Sequence, residues 1–248
     1  MVISPGTPSP LVRSGVPGLI PGMSDSTPPR LDRFTTERTA RCAVRGPADP
    51  AQAAALWIVL HGYGQLAAEF LEGLRAIDDG RRLLVAPEAL SRFYDARSPL
   101  ERHAEARVGA SWMTREDRLE EIADHLRWLD RVHAHYRGLV GPAVPLVVLG
   151  FSQGAAAASR WIARGAVEAS HLICWGASVA PELPLGAEAP LGRTRCTLVV
   201  GDRDRFVPPD LLATERDRLD AAGFRYVFET FEGGHRLDDA TLRRIAGA

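Results

Sequence analysis

From about residue 34 the chain alternates short apolar, β-rich runs with longer amphipathic segments. That rhythm predicts strands over residues 35–44, 56–61, 82–87, 145–150, 171–175, 196–200 and 225–231. Several of these runs are apolar at every position, as strands covered on both faces must be. The clearest helix is predicted to start at Thr114, with Glu116 and Asp117 in its first turn. It carries Leu119, Ile122, Leu126, Leu129 and Val132 at three- and four-residue spacing. Further helices are predicted over residues 66–77, 152–163, 209–222 and 238–245. The fold class that follows is α/β, a doubly wound, mostly parallel sheet with helices on both faces. Residues 91–113 break the rhythm as a long connection holding Phe93, Tyr94, Trp112 and Met113. Loops of that length usually carry function.

Residues 1–30 are rich in Pro, Gly and Ser and lack a continuous apolar core, so they read as a disordered or extended leader, with Met23 a natural start. Residues 31–248 then form a single domain, a size one α/β core accommodates. The expected state is a monomer or homodimer.

Charge narrows the partners. Lys+Arg 30 against Asp+Glu 31 leaves a net charge of −1, which provides no basic field for nucleic acid. Every basic residue is arginine, so no lysine nucleophile exists. The longest apolar stretch, residues 53–60, is far too short to span a membrane. Cys42, Cys174 and Cys196 are odd in number and widely spaced, the last two in predicted buried strands. Reduced interior thiols in a cytoplasmic protein follow, with one disulfide as the alternative. His133 and His135 point in different directions on a helix, and neither HExxH nor CxxC is present, so no metal site is expected.

The candidate chemistry centres on Gly150-Phe151-Ser152-Gln153-Gly154, between the apolar run 145–149 and four alanines at 155–158. A serine on a sharp strand-to-helix turn needs neighbours without side chains two residues away on either side. A plain Gly/Ser turn would need neither the strand before it nor the small-residue helix after it. At a helix N-terminus, free N–H groups favour developing negative charge.

A nucleophilic Ser152 requires a base, an acid to orient it, and amide donors for the oxyanion. On a strand–elbow–helix scaffold the chain order is serine, acid, histidine. Only His171 and His235 lie downstream. His171 opens a predicted strand at the far end of the sheet, whereas His235 follows a strand end through Gly233-Gly234, so His235 is the candidate base. The loop 201–208 offers two acids. Asp204 is favoured because it lies past the turn, and Asp202 is its rival. The backbone N–H of Gln153 and that of Tyr63, in the glycine-bearing loop 61–65, are the candidate oxyanion donors. His61 is read as a brace for that loop. The bulky residues Phe93, Tyr94, Trp112, Met113 and Phe206 are expected to wall the substrate pocket, and Trp128 and Trp161 to sit in the core.

These motifs, LHGYGQ (60–65), VAPEA (85–89), GASWMTRED (109–117), GFSQGAA (150–156), GDRDRFVP (201–208) and GGH (233–235), occur in an order that resembles the phospholipase/carboxylesterase family of α/β-hydrolases. The family includes acyl-protein thioesterases and small bacterial carboxylesterases. The resemblance implies hydrolysis of carboxylic esters or thioesters through an acyl-serine intermediate, without metal or cofactor. The bulky residues expected around Ser152 narrow the cleft and so predict a small-molecule ester of short acyl chain. Acyl thioesterase, lysophospholipase, serine peptidase or amidase activity, or a non-catalytic ligand-binding role, are the alternatives. One departure is Gln65, where the family commonly has an acidic residue.

Overall fold

The computed structural model describes residues 29–95 and 106–247. The leader expected over residues 1–30 lies, except for its last two residues, outside them. Residues 29–38 belong to a separate unit, are exposed and carry no regular secondary structure. The compact unit begins at Thr39.

Seven strands make the main sheet: β1 (Cys42–Arg45), β2 (Ala55–Leu60), β3 (Arg82–Pro87), β6 (Leu146–Phe151), β7 (His171–Trp175), β8 (Arg195–Gly201) and β9 (Val227–Phe231). Their order is β1-β3-β2-β6-β7-β8-β9, with β1 antiparallel and every other pairing parallel. β1 is shorter than the predicted 35–44 strand. Residues 35–41 are almost wholly polar, so nothing on them pulls an edge strand against the core.

Alternation along each strand feeds two cores. On β2, Leu56, Ile58 and Leu60 enter one and Trp57 and Val59 the other. The first core packs against α2 (Arg118–Val140), α3 (Gln153–Arg164) and α4 (Pro209–Ala221). The second is covered by α1 (Ala67–Glu72) and α5 (Asp239–Gly247). Helices on both faces explain why the strands are apolar throughout. Among the described residues, no helix is long and apolar enough to cross a membrane.

Two expectations are corrected here. Thr114 does not open α2, because Asp117 at the cap position has φ 44° and the first helical residue is Arg118. The Thr114 amide instead donates to the Glu121 carboxylate, 2.5 Å away. Leu119 accordingly turns outward and is exposed, while Ile122, Leu129 and Val132 are buried. The second correction concerns residues 91–113, which are not a plain loop. β4 (Ser91–Asp95) and β5 (Arg107–Ser111) pair antiparallel, setting Phe93 opposite Gly109.

Cys42, Cys174 and Cys196 are all free thiols. Burial pushes the Cys42 thiol up to about 11, and a hydrogen bond with Cys196 together with burial holds Cys174 far above its ordinary range.

Candidate active site

Ser152 sits between β6 and α3 with φ 52° and ψ −118°, a conformation that L residues rarely adopt. Such strain costs on the order of 1–3 kcal/mol and persists only when the surroundings over-determine it. They do. A Cβ on Gly150 would lie 2.3 Å from the Gly154 carbonyl oxygen, and one on Gly154 would lie 2.3 Å from that of Leu60. The Ser152 amide is tied to the Trp175 carbonyl at 2.7 Å.

The loops after β8 and β9 meet beside this elbow. Gly201 allows the approach, since a Cβ there would fall 2.4 Å from the Gly233 carbonyl oxygen. Asp202, half in solvent, accepts the Gly233 amide at 2.8 Å and so joins the two loops. Asp204 is buried. Its Oδ1 accepts the Phe206 amide at 2.9 Å and its Oδ2 lies 2.7 Å from Nδ1 of His235. Since a carboxylate only accepts, Nδ1 carries the hydrogen and Nε2 is left as the basic nitrogen. The imidazole is held between Phe151 and Phe206, with ring centroids 4.8 and 4.7 Å away. Its Cε1 edge touches Gly176, where a Cβ would come within 2.8 Å. Gly176 follows Trp175, the strand partner of Phe151, so serine elbow and imidazole share one strand end. The structure thus joins Asp204 to His235 directly and sets the imidazole against Phe151, the residue before Ser152. It gives Asp202 a different task, and places His171 on a strand start, bonded to Thr197 Oγ1 at 2.8 Å.

The loop after β2 lies on the other side. His61 is fully buried, with Nε2 accepting the Ala89 amide at 3.1 Å and Nδ1 donating to the Gly62 carbonyl at 2.8 Å. Burial lowers its pKa, which keeps the neutral, bracing form. Gln65 Oε1 accepts the Gly62 amide at 2.8 Å, and Ala110 O accepts that of Gly64 at 2.9 Å. Between them, the Tyr63 amide has no acceptor among the described residues. The Gln153 amide, at the first position of α3, has no intrahelical acceptor by construction.

A cavity of about 380 Å³ opens beside Ser152. Its walls are Gln153 and Ala156 of α3, residues 176–181, Leu198 and Val200 of β8, and Phe206 with Leu211 and Leu212 near the start of α4. Of the expected pocket residues only Phe206 lines it. Trp112 is 2% exposed and belongs to the core. Phe93 stacks on Tyr63 at 5.1 Å, Tyr94 is turned to solvent, and Met113 directs its sulfur to Arg160 and Arg118 at 3.5 and 3.6 Å. The reason is β4–β5 pairing, which a loop reading does not contain. Sequence reasoning missed Gly176, the α4 wall and the side-chain bonds of Gln153, all of which depend on contacts between distant segments. Among the described residues, no group of three or more His, Cys, Asp or Glu could hold a metal ion.

Neither a protein-family model nor a curated protein matches the chain in sequence. Solved structures do match it in fold. The esterase PE8 is 25% identical with a TM-score of 0.62, the alignment covering 85% of this chain and 97% of that one. Acyl-protein thioesterase 2 of Zea mays is 18% identical with a TM-score of 0.60, over 84% and 97% of the two chains. A carboxylesterase from Mesorhizobium loti is 18% identical with a TM-score of 0.60, over 84% and 92%. The chain is an α/β-hydrolase in fold, and the solved structures it is similar to include esterases, carboxylesterases and an acyl-protein thioesterase.

Proposed function

We propose that the protein is a serine hydrolase that cleaves small carboxylic esters of short acyl chain, with Ser152 as nucleophile, His235 as base and Asp204 as the orienting acid. The observation that carries this reading is the 2.7 Å bond from His235 Nδ1 to buried Asp204, at the same strand end as the strained Ser152. Ser152 Oγ attacks the ester carbonyl carbon and its proton passes to His235 Nε2. Asp204 stabilises the resulting imidazolium, and the Tyr63 and Gln153 amides receive the oxyanion. As the tetrahedral species collapses, the C–O bond to the alcohol breaks and Nε2 returns the proton to the leaving oxygen. Water, deprotonated by His235, then attacks the acyl-serine. The acid leaves and Ser152 regains its proton.

The size of the cavity supports the short-acyl preference. Small-molecule sites run from about 300 to 1,000 Å³, and about 380 Å³ lies near the lower bound. An added methylene contributes about 0.8 kcal/mol only while apolar wall remains to receive it. An acyl thioesterase would use the same residues, and the likeness to a maize acyl-protein thioesterase favours that second reading. A series of aryl esters and matched thioesters from acetyl to palmitoyl tests both. Efficiency peaking at short oxygen esters and vanishing in Ser152→Ala is the expected result. A monotonic rise toward palmitoyl, or a large preference for thioesters, would favour the second reading.

A further inference from the structure

An oxyanion site made of two amides from distant segments works only if their spacing is held to within about 0.5 Å. Here one amide belongs to residue 63, after β2, and the other to residue 153, opening α3. The backs of these segments touch where Gly154 lies against the Leu60 and His61 carbonyls. That contact sets their distance but not the tilt of the two peptide planes.

A second connection runs through residues 110–113, at the end of β5. The Gln153 side chain lies along this segment as a strand would, its Oε1 accepting the Trp112 amide at 2.9 Å and its Nε2 donating to the Met113 carbonyl at 2.7 Å. Ser111 Oγ donates to that same carbonyl at 2.9 Å. Trp112 then reaches across to the other donor loop, its Nε1 donating to the His61 carbonyl at 2.8 Å. Ala110 holds the loop from the far side through the Gly64 amide and an antiparallel bridge to Gln65. Gly109 permits the approach, as a Cβ there would sit 2.8 Å from Gly64. The amides of Gly62 and Gly64 are thereby consumed, and that of Tyr63, between them, is the one left to face a substrate.

We infer that the Gln153 side chain and the Trp112 indole are positioning residues. Together with residues 110–113 they form a strut that fixes the two oxyanion donors relative to each other. The inference rests on the serine-hydrolase reading. Three features distinguish a strut from ordinary packing. The bonds close a path from one donor to the other, they use an amide and an indole N–H that are otherwise costly to bury, and they are made at 2% exposure by Trp112. Trp112 therefore acts on the reaction through His61 and Gln153 rather than by touching the acyl group.

The test uses two conservative variants of the full chain. Gln153→Met removes both side-chain bonds at similar volume, and Trp112→Phe removes the indole N–H. Each is expected to lower kcat for a short aryl ester on the order of 10- to 100-fold, with KM within about twofold. Affinity for a trifluoromethyl ketone, which forms a tetrahedral oxyanion on Ser152, should fall by the same factor as kcat/KM. Binding of the matching methyl ketone, which does not add serine, should stay unchanged. Titration of reactive sites with a phosphonate corrects for any unfolded fraction, which a merely structural role would change instead. Two folded variants that keep kcat within twofold, or ketone affinity that stays at the wild-type value while kcat falls, would overturn the strut. Should Ser152→Ala still hydrolyse the ester, the serine-hydrolase reading falls. An inactive Ser152→Ala alongside a fully active Gln153→Met defeats the strut alone.

Discussion

The two sides of the proposed reaction centre are held in contrasting ways. On the base side, His235 is fixed by one 2.7 Å bond to Asp204 and by two phenyl rings, one of which, Phe206, is 72% exposed. On the oxyanion side, backbone amides are set by a chain of bonds through buried His61, Trp112 and the Gln153 side chain. The difference matches the two tasks. A base gains and loses a proton and must serve both the serine and the leaving oxygen, so an anchored but soft mounting suffices. Oxyanion donors act only if no reorganisation accompanies the charge, which calls for rigid backbone.

The largest expected effects lie on the base side. His235→Ala and Ser152→Ala should each lower kcat/KM for a small aryl ester on the order of 10⁴-fold or more, and the double variant should be scarcely worse because the pair acts as a unit. Additive losses in that double variant would mean that the two residues act independently. Next comes the acid. Asp204→Asn should lower kcat on the order of 10³- to 10⁴-fold by upsetting the imidazole's tautomer. Asp202→Asn should cost less than about tenfold, since an amide oxygen still accepts from Gly233. The reverse ranking would move the acid's role to Asp202.

A finer probe is Gly176→Ala, whose methyl would press on the His235 Cε1 edge at a residue with φ +66°. Turnover should drop on the order of 100-fold through a displaced imidazole. Gly80→Ala serves as the control, with φ +70° and open space where its Cβ would stand. It should lose only about 1–2 kcal/mol of stability to backbone strain and no activity. Equal kinetic losses in both would show that strain, not contact with the imidazole, is responsible.

The smallest effect is on stability against pH. Burial lowers His125, which bonds the Trp112 carbonyl, and His171 from 6.5 to about 4. Below about pH 6.5 the unfolded chain takes up protons that the folded one refuses. Stability present above that pH is therefore lost progressively down to about pH 4, by at most about 3 kcal/mol for each histidine. Urea titrations at pH 7.5 and pH 5 should show the fall, and His125→Phe should flatten it. An unchanged slope in that variant would remove His125 as a cause.

Much of the fold could be read from periodicity because the parallel strands are apolar on both faces and the glycines around Ser152 are sterically forced. The β4–β5 pair escaped because its strands are short, each carries an exposed arginine, Arg92 and Arg107, and no tight turn signal lies between them. With that pair read as a loop, Phe93, Tyr94, Trp112 and Met113 passed for pocket walls. The hydrogen-bonding tip of Trp112 and the Gln153 amide have partners some 40 to 50 positions away in the chain, which no local pattern encodes. The choice between Asp202 and Asp204 likewise depended on which carboxylate met His235 across two loops.

The central claim is that Ser152 is an activated nucleophile. Labelling the full chain with an alkyl fluorophosphonate, followed by intact-mass measurement and peptide mapping, tests it most directly. A single adduct on the peptide containing Ser152, formed in step with the loss of ester hydrolysis and absent in His235→Ala over the same time, is the predicted result. Hydrolysis that persists in a fully labelled protein, or loss of activity with the adduct on another residue, would contradict it.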